Sequence, residues 1–383
     1  MSNIDLVKKH IFLSSTNPHI INLILNLIQN SIINKEDVIL LLDTVTTNSQ
    51  NIEIQCKAYN IDYMYYKESK VVNIQPITLN SLSLQPNTAR ILIDFLEQGK
   101  VTTNQINILI TDDEVDRWLK LYNETGALKH DDKALIDGNV LKILKLVDNY
   151  ITRYSTLGGI LENLLGRKLN IIDAVLPFNV LDNNSQKNLE AFLDSRIKYK
   201  DPSTYRILLF TKHQNPKKVF NIIASYLSGK IEIPSNLMIT LGIWLPLNPK
   251  GMMLYMSLKA LIRIKKLSIK LRLEQPVSSE QYAVMLYGYD CLILQERGGF
   301  STAKYFAENV GKLITLKGSP NDKALIVNYS INTFNSISYV EAIKDAISAA
   351  QKNEVENIST FASQLTKQHK ESFDTLRSYW NSF

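Results

Sequence analysis

Short runs of Ile, Val and Leu, each only a few residues long, recur along this chain between longer stretches of helical periodicity. A near-continuous apolar run suits a strand buried on both faces, and the long connections between such runs are what parallel neighbours require. The pattern predicts an α/β protein of parallel sheets covered by helices on both faces. In the first half, strands are predicted at His10–Ser14, Asp37–Leu42, Asp62–Tyr65, Ile106–Ile110, Asn149–Thr152 and Ile171–Val175. In the second half they are predicted at Arg206–Phe210, Leu237–Ile243, Leu267–Leu273, Cys291–Leu294, Lys312–Leu316 and Ala324–Val327.

At 383 residues the chain exceeds what one core holds, and two domains of roughly 150–200 residues are expected. The stretch from Asn179 to Thr204, with Asp182-Asn183-Asn184-Ser185 and a charged run from Lys198 to Asp201 closed by Pro202, has the composition of a linker. From about Tyr339 to Phe383 no strand pattern occurs, and two or three helices are predicted. The division read from these features is residues 1–180, a linker at 181–204, residues 205–345, and helices over 346–383 that pack back across the domains.

Several classes are set aside by composition. Apolar runs such as Ile20–Ile28 fall short of the ~18–20 residues that cross a bilayer. Lys8 and Lys9 precede an apolar stretch that Asn17, Pro18 and His19 interrupt, with no small-residue cleavage site after it, so the chain reads as unexported and cytoplasmic. Two cysteines, Cys56 and Cys291, build neither a disulfide framework nor a cysteine-rich zinc site. A formal net charge of +6 suits anionic partners without choosing among them.

In open parallel sheets, ligands bind beyond the carboxyl ends of the strands, where helix N-termini attract phosphate. Neither GxGxxG nor a Walker sequence is present, which turns the search from dinucleotides and NTPases to nucleotide-sugars. The junction after Cys291–Leu294 holds Gly298-Gly299, then Ser301 as a predicted N-cap of a helix running to Val310. A diphosphate fits that helix start, with Thr302, Arg297 and Lys304 beside it; an ordinary β–α turn is the alternative. After Arg206–Phe210, Asn215 and Pro216 signal a helix start, and Lys212 and His213 are candidate donor contacts or else part of a solvated loop. Gly242 would let backbone approach a donor, whereas Trp244 reads as core or else as a base-stacking surface, core being the first choice.

In the first half, His19 opens a helix after the first strand, as a candidate base or a surface histidine. Asp112 and Asp113 follow the strand at Ile106–Ile110. They are placed to accept an acceptor hydroxyl's proton, a role typically worth 10²–10⁴-fold, or to cap and favour the start of the helix leading to Arg117-Trp118. Acids so clustered could also hold a metal, for which one run with no spaced histidines or further carboxylates is weak support.

In this order the pieces resemble the GT-B glycosyltransferase superfamily, and more narrowly the Fuc4NAc (4-acetamido-4,6-dideoxygalactose) transferases of enterobacterial common antigen synthesis. The likeness runs over His10–Leu42, Ile106–Phe178, Arg206–Ile243 and Gln281–Pro320, and is best in Gln281-Tyr-Ala-Val-Met-Leu-Tyr-Gly-Tyr-Asp290 with the glycine turn after it. The resemblance implies two Rossmann-like doubly wound parallel-sheet domains facing a cleft, with a C-terminal helical tail. It implies a nucleotide-sugar donor held mainly by the second domain, no bound metal, no cofactor beyond that substrate, and a lipid-linked acceptor at the inner leaflet. Donor contacts carried over fall on Gly298, Gly299, Ser301 and Thr302, with Lys212 and Gly242 as lesser ones.

The chain departs from the pattern in two places. Many retaining members have glutamates eight positions apart around this turn, whereas here Glu296 is followed by Lys304; and the strand ending in Thr111-Asp112-Asp113-Glu114 replaces a Trp-Gly-Ala-Asp-like stretch. The basic segment Arg263, Lys265, Lys266, Lys270 and Arg272 would rest on anionic inner-membrane lipid or form a solvated sheet edge. The expected activity is an inverting, metal-independent transfer of a sugar from a nucleotide to a bacterial surface-glycan acceptor, lipopolysaccharide, capsule or lipid-linked, with no nucleic-acid partner. Two alternatives stand beside it: a binding subunit of the same fold that has lost catalysis, and a nucleotide-sugar epimerase.

Overall fold

A computed structural model of the chain describes residues 5–6, 10–14, 19–43, 47–66, 73–74, 77–177, 203–210, 215–229, 233, 236–275, 279–296, 299, 302–303, 306–307, 311–329, 334–352 and 358–383. The chain divides into two compact units, Met1–Asn179 with Lys367–Phe383, and Val180–Thr366. The expected linker lies almost wholly outside the described residues.

The first unit contains strands β1 (Asp5–Leu6), β2 (His10–Ser14), β3 (Val38–Leu42), β4 (Tyr63–Tyr65), β5 (Asn73–Ile74), β6 (Thr78–Leu82), β7 (Ile106–Leu109), β8 (Asn149–Thr152) and β9 (Asn170–Asp173). Seven of them form one sheet in the order β4-β3-β2-β6-β7-β8-β9, all parallel, while β1 and β5 pair separately. The chain winds outward from β2 to β4, then returns to β6 and winds the other way, so the strand order reverses between β2 and β6. Its helices are α1 (His19–Gln29), α2 (Thr47–Tyr59), α3 (Pro86–Glu97), α4 (Asp112–Thr125), α5 (Gly138–Leu146) and α6 (Gly159–Leu165). Alternate residues of each strand feed two cores. Ile11, Leu13, Ile39 and Leu41 pack with α3, α4 and α5, whereas Phe12, Leu40 and Leu42 pack with α1 and α2.

The second unit repeats the plan with β10 (Thr204–Leu209), β11 (Met238–Ile243), β12 (Ile269–Leu273), β13 (Cys291–Ile293), β14 (Lys312–Leu316) and β15 (Phe334–Ser336). Its sheet is parallel throughout in the order β12-β11-β10-β13-β14-β15, reversing between β10 and β13. Helices α7 (Pro216–Ser228), α8 (Pro249–Ile264), α9 (Ser279–Tyr287), α10 (Pro320–Tyr329) and α11 (Tyr339–Lys352) surround it. Asn215 and Asn248 cap α7 and α8 through their side-chain carbonyls, each followed by the proline that suits a first helical position. The last helix, α12 (Ile358–Asn381), brings Leu376 and Trp380 into the first unit's core beside Phe12. None of the described helices is long and apolar enough to cross a membrane.

Two strand expectations are corrected. Ala324–Val327, read as a strand from its aliphatic run, lies inside α10. Local capping decides this: Ser319 Oγ accepts the Asp322 N–H at 3.1 Å, Pro320 occupies the first turn, and Asp322 takes bonds from the Thr315 hydroxyl and the Gly318 N–H. The edge position belongs to β15 instead. Second, β6 was not expected at all, because Thr78, Asn80 and Ser81 make it polar, yet it is central and fully buried.

Candidate functional site

Because every strand pair in each main sheet is parallel, the carboxyl ends of the strands share one edge per sheet, and both edges gather polar groups. In the second unit, Gly299 follows β13 with φ +75°, and a Cβ there would sit 2.4 Å from the Phe210 ring, so both backbone and space require glycine. Its carbonyl accepts the Ala303 N–H at 3.0 Å, which opens a helical turn; Thr302, Ala303, Phe306 and Ala307 are helical. The described residues of this stretch thus include a left-handed glycine and helical positions, with one helical bond reaching Gly299. Gly298, Ser301, Lys304, Lys212 and His213 lie outside the described residues.

Thr302 is buried, and its hydroxyl is held by that of Tyr282 on α9. Burial pushes the Tyr282 phenol well above its usual range. Trp244 packs edge-on between Phe210 and Tyr282, with centroids 5.8 and 6.0 Å away, which agrees with a core role. Gly242 serves its neighbour: the Tyr289 ring fills the space a side chain would take, and the Tyr289 hydroxyl donates to buried Glu274, which also pairs with Arg272 at 2.7 Å. The absent Cβ at Gly242 thus makes room for a tyrosine, in place of the expected approach of a ligand.

Sequence reasoning missed Lys218. In the first turn of α7, its ammonium lies 3.4 Å from the Glu296 carboxylate and over the Tyr339 ring. The Glu296 N–H donates to the Tyr339 hydroxyl oxygen at 3.3 Å, so strand end β13, helix start α7 and helix start α11 converge. Beside them opens a cavity of about 480 Å³ lined by Asn215, Lys217, Lys218 and Tyr339 together with the aliphatic Ile222 and Val340. Two helix N-termini and the Lys217 side chain border this open space, with the Lys218 ammonium held beside it by Glu296, a setting suited to an anion that displaces that carboxylate. The signal was present in sequence as Asn215-Pro216-Lys217-Lys218, a cap followed by first-turn cations.

In the first unit, His19 is exposed at the start of α1, and Asp112 and Asp113 are the first two residues of α4. The helix cap is Thr111, not either aspartate. The Thr111 N–H and hydroxyl both donate to Glu114 Oε2, at 3.1 and 3.0 Å, and the Leu84 N–H donates to Oε1. Fully buried, Glu114 joins the loop after β6 to the loop after β7; burial pushes its carboxyl up to about 7, against the pull of those donors. With both oxygens so engaged it is a brace. The Thr-x-x-Glu spacing is that of a capping box, a signal legible in Thr111 and Glu114 themselves. A second brace lies nearby: Asp43, at the end of β3 and 2% exposed, pairs with Arg90 of α3 at 2.5 Å.

No protein-family model matches the sequence, and no curated protein matches it. Solved structures do. Anabaena HepE in complex with UDP is similar at TM-score 0.58 and 11% identity, over 98% of each chain. UDP-GlcNAc 2-epimerase from Neisseria meningitidis bound to UDP-GlcNAc is similar at TM-score 0.55 and 11% identity, over 96% of this chain and 98% of that one. A UGT transferase from Siraitia grosvenorii in complex with UDP follows at 0.53 and 9%, over 97% and 99%. At such identities the likeness is one of fold: two Rossmann-like units of the GT-B type.

Proposed function

We propose that this protein is a glycosyltransferase that takes its sugar from a nucleoside diphosphate donor bound at the carboxyl edge of the second unit's sheet. The observation that carries the reading is the open cavity where Lys217, Lys218 and the starts of α7 and α11 converge, a few residues from the Gly299 turn. Solved structures of the same fold that hold UDP or a UDP-sugar support it. In this reading the amides of the turn from Gly298 to Thr302 and the cations Lys212, Lys218 and Lys304, with His213, hold the diphosphate. Gly242 contributes only through Tyr289.

Transfer proceeds by displacement. The acceptor hydroxyl oxygen bonds to the anomeric carbon, the bond from that carbon to the phosphate oxygen breaks, and the nucleoside diphosphate leaves with the electron pair. The acceptor's proton passes to a base, for which Asp112, Asp113 and His19, all at the carboxyl edge of the first sheet, are the candidates. Cations and helix dipoles at the diphosphate stabilise the charge that develops on the leaving group. An inverting, metal-independent reaction on a bacterial surface-glycan or lipid-linked acceptor on the cytoplasmic side is the finer form of the proposal.

Calorimetric titration with UDP, dTDP, GDP and CMP tests it. One nucleotide is expected to bind, and Lys218→Ala to weaken that binding at least ~10-fold, or about 1.4 kcal/mol. Failure of all four to bind sinks the reading in favour of a binding subunit. The likeness to an epimerase bound to its nucleotide-sugar favours a second reading, epimerisation on the same site. Product analysis without an acceptor separates the two, since only an epimerase turns over alone.

A further inference from the structure

Two surface helices of the second unit, α7 and α11, follow one rule, and α8 departs from it. On α7 the exposed positions are Lys217, Lys218, Asn221, Ser225 and Ser228; on α11 they include Glu341, Lys344, Asp345 and Ser348. Both present apolar residues inward and polar ones outward, as a helix covering a sheet should. On α8 the inner face is equally apolar, with Leu258 and Ile262 buried, but the outer face is apolar too. Met252 is 38% exposed, Met253 63%, Met256 57% and Ile264 78%, and Leu247 just before the helix is 69% exposed.

At about 100° per residue, Met252, Met253, Met256, Ala260 and Ile264 fall within one arc of roughly 120°, opposite Leu258 and Ile262. Lys259 and Lys250 flank that arc on its two sides, Arg263 lies within it, and Lys265 and Lys266 extend it past the helix end. From Ile233 to Leu273 the chain contains seven Lys and Arg and no Asp or Glu. A flexible, apolar centre flanked on its own segment only by basic charges is complementary to a surface that is apolar inside and anionic outside.

We propose that the outer face of α8 docks the protein on an anionic lipid bilayer, with the methionines and Ile264 entering the headgroup boundary and the lysines and Arg263 meeting lipid phosphates. Of the basic residues expected to meet lipid, Lys270 and Arg272 take another role. They alternate with buried Ile269 and Leu271 on β12, the edge strand of the sheet, and Arg272 is paired with Glu274, so they guard that edge. Nucleic acid would leave the exposed aliphatic side chains without partners, and a lipid surface accommodates them. The inference rests on this surface alone and is independent of the transferase reading.

Vesicle flotation tests it, comparing phosphatidylcholine alone with phosphatidylcholine containing about 30% phosphatidylglycerol. The full chain is expected to float with the anionic vesicles, to release at high salt, and to stay behind with the zwitterionic ones. The triple variant Met252→Glu, Met253→Glu, Met256→Glu and, separately, Lys265→Glu with Lys266→Glu should each reduce flotation at least ~10-fold while melting as the wild type does. Because these side chains are exposed, loss of folding is not expected; Met256→Ser with Ile264→Ser provides a milder second probe. The proposal is overturned if the wild type ignores anionic vesicles or if the variants float undiminished. It is equally overturned if the methionines prove instead to hold two copies together in sedimentation, or to be needed for capture of an acidic protein or duplex DNA with vesicles left unbound.

Discussion

Just past the reversal of the second sheet, β13 buries Cys291, Leu292 and Ile293 in apolar surroundings on both faces, whereas at the matching place in the first sheet β6 buries Thr78, Asn80 and Ser81. Buried amides and hydroxyls are costly unless partnered, and here they are partnered in a chain. The His10 ring meets the Thr78 hydroxyl at 2.9 Å; the Asn80 amide donates to that hydroxyl and accepts from the Asn107 amide at 2.8 Å. The chain ends on the last helix, where the Tyr379 hydroxyl donates to Asn107 at 2.6 Å and the Trp380 indole N–H reaches Asn80 at 3.4 Å. Phe12, Asn80 and Asn107 are cross-strand neighbours in register, so the row lies on one face. Apolar packing alone tolerates sliding; a row of amides matched to two side chains of α12 specifies where that helix sits. The second sheet needs no such key, because the helices that cover it are joined to its strands by short connections.

Four experiments bear on that contrast, with hydrogen exchange read by mass spectrometry so that each unit reports separately. The largest effect should come from Trp380→Ala, which removes a side chain 2% exposed against Phe12 and is expected to destabilise the first unit by about 3–5 kcal/mol and leave the second unit's protection unchanged. Equal loss in both units would show that the helix does not belong to one of them. Next is Glu114. Its folded pKa of about 7 lies above its ordinary 4.5, so the folded state holds the proton more tightly; the associated stability is full below about pH 4.5 and is lost as pH rises through 7. Glu114→Gln should flatten that slope, of at most about 3 kcal/mol, in the first unit only. A slope that persists in the variant assigns it to another group.

Asn80→Ala, which strands the Asn107 amide and the Trp380 N–H, is expected to cost about 2 kcal/mol and to loosen α12 before the rest of the sheet. Uniform loosening would mean that the amide row supports the strand and not the helix. The smallest effect should be that of Gly242→Ala in the second unit, about 1–2 kcal/mol, from displacing the Tyr289 ring. If stability is instead unchanged while nucleotide binding falls, Gly242 faces a ligand after all.

These residues also mark how far sequence could be followed. Strands that are aliphatic because both faces are buried, such as Val38–Leu42 and Lys312–Leu316, announced themselves. Thr78–Leu82 did not, since its polar side chains resemble a turn until Asn107, Tyr379 and Trp380 are brought to them from 27 to 300 positions away. Ala324–Val327 misled in the opposite sense, its aliphatic run outweighed by the Ser319 cap and the bonds to Asp322. At the candidate site the glycine turn after β13 and the Asn215-Pro216 helix start were legible from local chemistry. Lys218 became meaningful only once Glu296 and Tyr339, from 78 positions later and beyond, were beside it.

By itself, then, the chain determined what depends on neighbours in sequence: the parallel α/β plan, most strand positions, and the helix starts at the carboxyl edges. Tertiary structure alone decided which buried polar groups are partnered, that Gly242 serves Tyr289, that Glu114 braces two loops, and that the outer face of α8 is left apolar. The reason is that burial and pairing are properties of what a side chain meets across the fold, and residues far apart in sequence carry no mark of their meeting until the chain has closed.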